Sequence, residues 1–117
     1  MDVGKRIREL RERKGMEQLE LAEKINISQS KMNKIETGYQ KRIEPEILVD
    51  ISNVLGTSVD YLEGKEVDVD SMTDEEIELE IQEITKELNV WYKDEPENKR
   101  EKLKMLRKII KTFIEED

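Results

Sequence analysis

The 117-residue chain has no cysteine and no histidine. Their absence removes the usual zinc sites, thiol nucleophiles and Ser-His-Asp arrangements. What remains shows no nucleophile–base pair, no phosphate-cradling glycine loop and no metal-ligand cluster, so neither catalysis nor a cofactor is expected. Two prolines and five glycines leave few breaks in the chain. No stretch alternates apolar and polar residues as a half-buried strand does, and an all-α fold follows. No apolar run is long enough to cross a membrane and no signal peptide is visible, which points to a cytoplasmic protein. Apolar residues make up 35 % of the chain and charged residues 43 %. That balance suits short helices with solvated outer faces rather than one large core.

The net charge of −8 argues at first against a nucleic-acid partner. Its distribution removes the objection. Residues 1–65 hold 12 Lys/Arg and 12 Asp/Glu, while residues 66–117 hold 9 and 17, so the excess acid lies entirely in the second half. Between Ser28 and Arg42 there are four basic residues (Lys31, Lys34, Lys41, Arg42) against one acid, Glu36. Exposed charges are screened beyond about 8 Å in physiological salt, so the local balance is what a phosphate meets.

The stretch that organises the chain is Gln18 to Gly38. Leu21, Ala22 and Ile25 mark a first short helix, and Asn26-Ile27 a turn in which Asn tolerates the left-handed backbone. Ser28 stands as N-cap of a second helix, with Ile27 and Met32 at hydrophobic-staple spacing. Met32 and Ile35 face inward, leaving Gln29, Ser30, Asn33, Lys34 and Thr37 outside. Gly38 ends the helix. Amides, hydroxyls and a lysine on one helical face are what base edges and phosphates require.

This pattern resembles the lambda-repressor-like, Cro/C1-type (XRE) helix-turn-helix family, over about residues 2–64. Gln18, Leu21-Ala22, Ser28-Gln29-Ser30, Ile35-Glu36, Gly38 and the run from Leu55 to Leu62 carry the resemblance in order and spacing. Glu17 and Asn26 depart from it, where Ser/Thr and Gly are usual, and Leu19 stands where an outward polar residue is usual. The resemblance implies a five-helix DNA-binding domain over 1–64 and a transcriptional repressor of phage or mobile-element type. It implies that Arg11 pairs with Glu36, that Gln18 meets a phosphate, that the loop with Lys41 and Arg42 grips the backbone, and that Val59 and Leu62 form a self-association patch, core packing being the simpler reading for either one alone. Gln29 is the strongest candidate for base contact, with Ser30, Asn33 and Lys34 beside it. Ser28, Lys31 and Thr37 complete the DNA-facing set.

The remaining elements read from local signals. A first helix covers Val3 to Lys14 with Val3, Ile7 and Leu10 inward; Lys5, Arg6, Arg8, Arg13 and Lys14 fall on its solvated face. A fourth starts at Glu44-Pro45 and ends at Gly56, and a short fifth runs from Ser58 to Leu62. Residues 65–71 read as a polar linker. From Met72 to the end, 72–117, an antiparallel helical hairpin is expected. It opens on a capping box (Thr73, Glu76) and a staple (Met72, Ile77). Ile77, Ile81, Ile84, Leu88 and Trp91 step by 4 and 3 along its first arm, a heptad seam. Pro96 stands near the start of the second arm, which carries Leu103, Leu106, Ile110 and Phe113, widened by Ile109. A lone hairpin buries too little to be stable, so its wide apolar face needs a second surface: these ten residues are expected to pair two chains into a dimer, with higher oligomers open, the other reading being that the hairpin folds back on residues 1–64 of its own chain. The alternative is an antitoxin-type or partner-regulated protein whose acidic half binds an antirepressor or other regulator.

Overall fold

The computed structural model describes residues 2–88 and 98–115, with side chains described for 2–86 and 98–112. Every regular element among them is helical: α1 (Val3–Arg13), α2 (Gln18–Lys24), α3 (Gln29–Thr37), α4 (Pro45–Leu55), α5 (Val59–Leu62), a 3-10 turn at Val69–Ser71, α6 (Asp74–Leu88) and α7 (Lys99–Glu115). The chain divides into two compact units, Met1–Val67 and Asp68–Asp117.

In the first unit the expected helices appear, and the serine caps form. Ser28 and Ser58 each accept a backbone N–H three residues on. Asn26 takes a φ of 59° in the turn between α2 and α3, the one non-glycine residue in that region among those described. Gly38 closes α3 with φ 81°, where a side chain would be strained. Ile7, Leu10, Leu21, Ala22, Met32, Ile35, Ile51, Leu55, Tyr61 and Leu62 are all but sealed from solvent. Each large side chain among them contributes roughly 1.5–3 kcal/mol by leaving water. Leu62 therefore belongs to this core and not to an outer patch; Val59 is half-buried.

Two features of α1 depart from the sequence reading. Arg6 is buried rather than solvated: its guanidinium lies 4.6 Å over the Tyr61 ring and donates to the Tyr61 carbonyl. The reason is helical spacing, since Arg6 is three residues after Val3 and four before Leu10, on the apolar stripe itself. Gly4 is the point of closest approach to α3. A Cβ there would lie 2.2 Å from the Ile35 carbonyl oxygen and 2.9 Å from that of Glu36.

The second unit begins inside the stretch read as linker. Val69 and Met72 are both buried, and the turn between them packs on α7. The capping box forms: the Glu76 carboxylate accepts from the Thr73 N–H at 2.7 Å and the Thr73 hydroxyl from the Glu76 N–H at 3.1 Å. Ile77, Ile84, Leu103 and Leu106 make the core, joined by Leu79, which lies off the heptad seam. The described part of the second arm is α7 from Lys99, with Asn98 accepting from the Arg100 and Glu101 N–H groups.

The two helices pack together, tied by ion pairs from Lys99 to Glu78, Arg100 to Asp74 and Arg107 to Glu80, with Lys104 reaching Asp70 ahead of α6. The start of α7 thus lies by the start of α6, where the Arg100 guanidinium also holds the Val69 carbonyl at 2.7 Å. Trp91 and Pro96 lie outside the described residues, as do the side chains of Leu88 and Phe113.

Candidate nucleic-acid interface

The first eight residues of α3 set the character of this surface. Ser28 satisfies the N–H of Lys31 at 3.1 Å and so fixes where the helix begins. Met32, Ile35 and Glu36 point into the unit; Gln29, Ser30, Asn33, Lys34 and Thr37 stand exposed. The Thr37 hydroxyl donates to the Asn33 carbonyl at 2.8 Å, leaving its lone pairs outward. Lys34 reaches along the same side, its Nζ 6.0 Å from the ring of Tyr39.

Beneath this face lies the Arg11–Glu36 pair. Arg11 donates from Nε and Nη2 to the two carboxylate oxygens of Glu36 at 2.8 and 2.9 Å, and from Nη1 to the Met16 carbonyl at 2.8 Å. Both side chains are buried, at 9 % and 1 % exposure. Donation to the Glu36 carboxylate raises the Arg11 pKa above its already high ordinary value. A planar fork on a carboxylate fixes angle as well as distance, so the pair sets α1 against the end of α3.

Gln18 connects that buried pair to the outer face. Its amide nitrogen donates to Glu36 at 3.2 Å and to Asn33 at 3.3 Å, and its amide oxygen accepts from Gln29 at 3.5 Å. Gln18, Gln29 and Asn33 are therefore brought together, at the start of α2 where backbone N–H groups suit an anion. Glu17, the cap of α2, makes no side-chain bond of its own. An open polar groove of about 470 Å³ adjoins the cluster, lined by Arg8, Arg11, Gln18, Asn33, Glu36 and Thr37 among others. Its walls carry amides and two ion pairs, Arg8 with Glu12 and Arg11 with Glu36, so it does not suit an apolar ligand.

The loop after α3 is held by its own bonds. The Gln40 N–H donates to the Lys34 carbonyl and its side chain to the Arg42 carbonyl, both at 2.9 Å. Lys41 and Arg42 project from it, exposed. Two residues of this region escape a sequence reading. Tyr39 is 81 % exposed beside Lys34; an aromatic in a charged loop was the available signal. Glu44 turns to Lys31 at 2.9 Å in place of capping α4. Lys31 is thus ion-paired.

Of the ten residues expected to pair two chains, Ile77, Ile84, Leu103 and Leu106 are already buried in the single chain. Ile81, Ile109 and Ile110 stay half-buried. Leu88, Trp91 and Phe113 fall where side chains are not described. Among the described residues no group of three or more acids could hold a metal ion, and no helix is long and apolar enough to cross a membrane.

Comparison with known proteins bears on the same surface. A helix-turn-helix family model matches residues 7–62. The chain is 33 % identical over 118 residues to the HTH-type transcriptional regulator ImmR of Bacillus subtilis (strain 168), covering 97 % of this chain and 92 % of the relative. No solved structure matches.

Proposed function

This chain belongs to the helix-turn-helix family of DNA-binding transcriptional regulators, and on that premise we propose that it is a cytoplasmic repressor, of a prophage or mobile element, that binds a palindromic operator as a dimer. The observation that carries the reading is the outer face of α3. It buries its apolar side completely and presents Gln29, Ser30, Asn33 and Lys34 to solvent. Gln29 suits adenine, whose N6 and N7 match an amide; Lys34 suits guanine or phosphate. Each good bidentate contact discriminates by about 1–3 kcal/mol. Ser28, Thr37, Lys41, Arg42 and the backbone around Gln18 position the head on phosphates, the salt-dependent share of affinity. Occupancy of a site overlapping a promoter then excludes polymerase.

Dimerisation rests on the second unit. After its own core is filled, α7 still carries Met105, Ile109 and Ile110 only half-buried. A second copy covering that strip would set two α3 helices in successive major grooves, about 34 Å apart. Docking of a regulator or antirepressor on the acidic half is the weaker reading. Asp70, Asp74, Glu78 and Glu80 are already paired with Lys104, Arg100, Lys99 and Arg107. Selection of bound duplexes from a random pool tests the proposal. It is expected to return two inverted half-sites one helical turn apart; a motif with no inverted symmetry would refute the palindromic dimer.

A further inference from the structure

Glu44 occupies the N-cap of α4, where a carboxylate ordinarily accepts a backbone N–H, yet it makes no such bond. Instead one oxygen takes Lys31 Nζ at 2.9 Å and the other faces the Gln40 amide at 3.5 Å. The carboxylate therefore sits between the first turn of α3 and the loop that carries Lys41 and Arg42. It is the one acid exposed along residues 28–44, since Glu36 is buried. Both partners remain substantially open, at 34 % and 47 % exposure, so the pair adds little to stability. Its consequence is electrostatic: the positive charge at the opening of α3 is neutralised.

Building on the DNA-binding reading, we propose that Glu44 is a specificity-determining residue. By holding Lys31, it withholds one cation from the phosphate backbone and suppresses binding to DNA of arbitrary sequence. Phosphate contacts add affinity to every duplex alike, whereas Gln29 and Ser30 act only on the correct bases. Withdrawing one phosphate contact lowers affinity everywhere by a similar factor. The operator complex can recover it, because a fully docked head brings phosphates close enough to compete with Glu44 for the Lys31 ammonium. A loosely seated, sequence-independent complex does not. The gap between operator and bulk DNA widens accordingly.

The test uses the full chain and a duplex of random sequence, titrated between 50 and 200 mM salt. Glu44→Gln is expected to bind tighter, and log K is expected to fall with log[salt] more steeply by about 0.9, the contribution of one neutralised phosphate. Across that salt range the variant then loses about 3.5-fold more affinity than the wild-type chain. Lys31→Met is expected to bind more weakly than wild type, because it leaves Glu44 facing the phosphates. The double variant Lys31→Met/Glu44→Gln restores the original net charge and is expected to return to wild-type slope and affinity. Binding by Glu44→Gln that is equal to or weaker than wild type, with the melting temperature retained, overturns the proposal while leaving DNA binding intact. Failure of wild type and variant alike to bind any duplex overturns the DNA-binding reading and this proposal with it.

Discussion

Replacing Arg11 by alanine strands the Glu36 carboxylate, whose side chain is 1 % exposed and sits 2.8 and 2.9 Å from the guanidinium it would lose. Gln18 alone would still donate to it, at 3.2 Å. Breaking a buried pair from one side typically costs about 3–5 kcal/mol, because the remaining charge has lost both its partner and its water. A unit of this size is expected to hold about 3–10 kcal/mol in total. The loss is therefore a large fraction of it, and at about 4–8 °C per kcal/mol the midpoint should fall by at least about 12 °C. Thermal melting followed by circular dichroism on the full chain reads this directly. The paired variant Arg11→Met/Glu36→Met removes both charges and should recover most of the loss, since two apolar side chains leave nothing stranded. An Arg11→Ala midpoint within about 3 °C of wild type, or a double variant as unstable as the single, would refute the assignment of this pair to structure.

Gly4→Ala pushes a methyl against the Ile35 and Glu36 carbonyls and should lower the urea midpoint by the equivalent of about 1–3 kcal/mol, an overpacking cost at backbone that cannot step aside. The Glu44 carboxyl titrates below its ordinary value, chiefly through its hydrogen bond with Lys31. A depressed carboxyl stabilises above its unfolded pKa and stops doing so as pH falls through its folded one. The small melting advantage of wild type over Glu44→Gln should therefore be present at neutral pH and vanish in acid. Ile109→Glu places a charge on the half-covered strip of α7. Sedimentation should show the wild-type chain at twice 13.9 kDa and this variant at that mass; no change would move the interface elsewhere.

Local signals carried much of the fold into the sequence. The caps at Ser28, Ser58 and Thr73 and the turn at Asn26 depend on neighbours within a few residues, and each stands where spacing placed it. Contacts between distant residues were less accessible. Arg11 meets Glu36 across 25 positions, and only family resemblance joined them. Arg6 meets Tyr61 across 55; its charge drew it to the solvated face, although its spacing with Val3 and Leu10 pointed inward. In the second unit the heptad steps identified real core positions, but a one-dimensional pattern does not specify crossing. Burial of Val69 and Leu79 and the partners that α7 takes, Asp74 for Arg100 and Glu80 for Arg107, depend on where α7 begins in space. At the interface the polar face of α3 was legible from composition and period. The Gln18 bridge and the capture of Lys31 by Glu44 were not, because both are fixed by tertiary placement of a flexible side chain.

The account depends on α3 reading bases through its outer side chains, and Gln29 is its most exposed claim. Selection from a random duplex pool should be run on wild type and Gln29→Ala side by side, with matched melting temperatures. The expected result is that both return one motif, in which the variant loses base preference at one symmetry-related position per half-site and keeps the rest. Identical motifs of equal strength, or no enriched sequence from either protein, would contradict it.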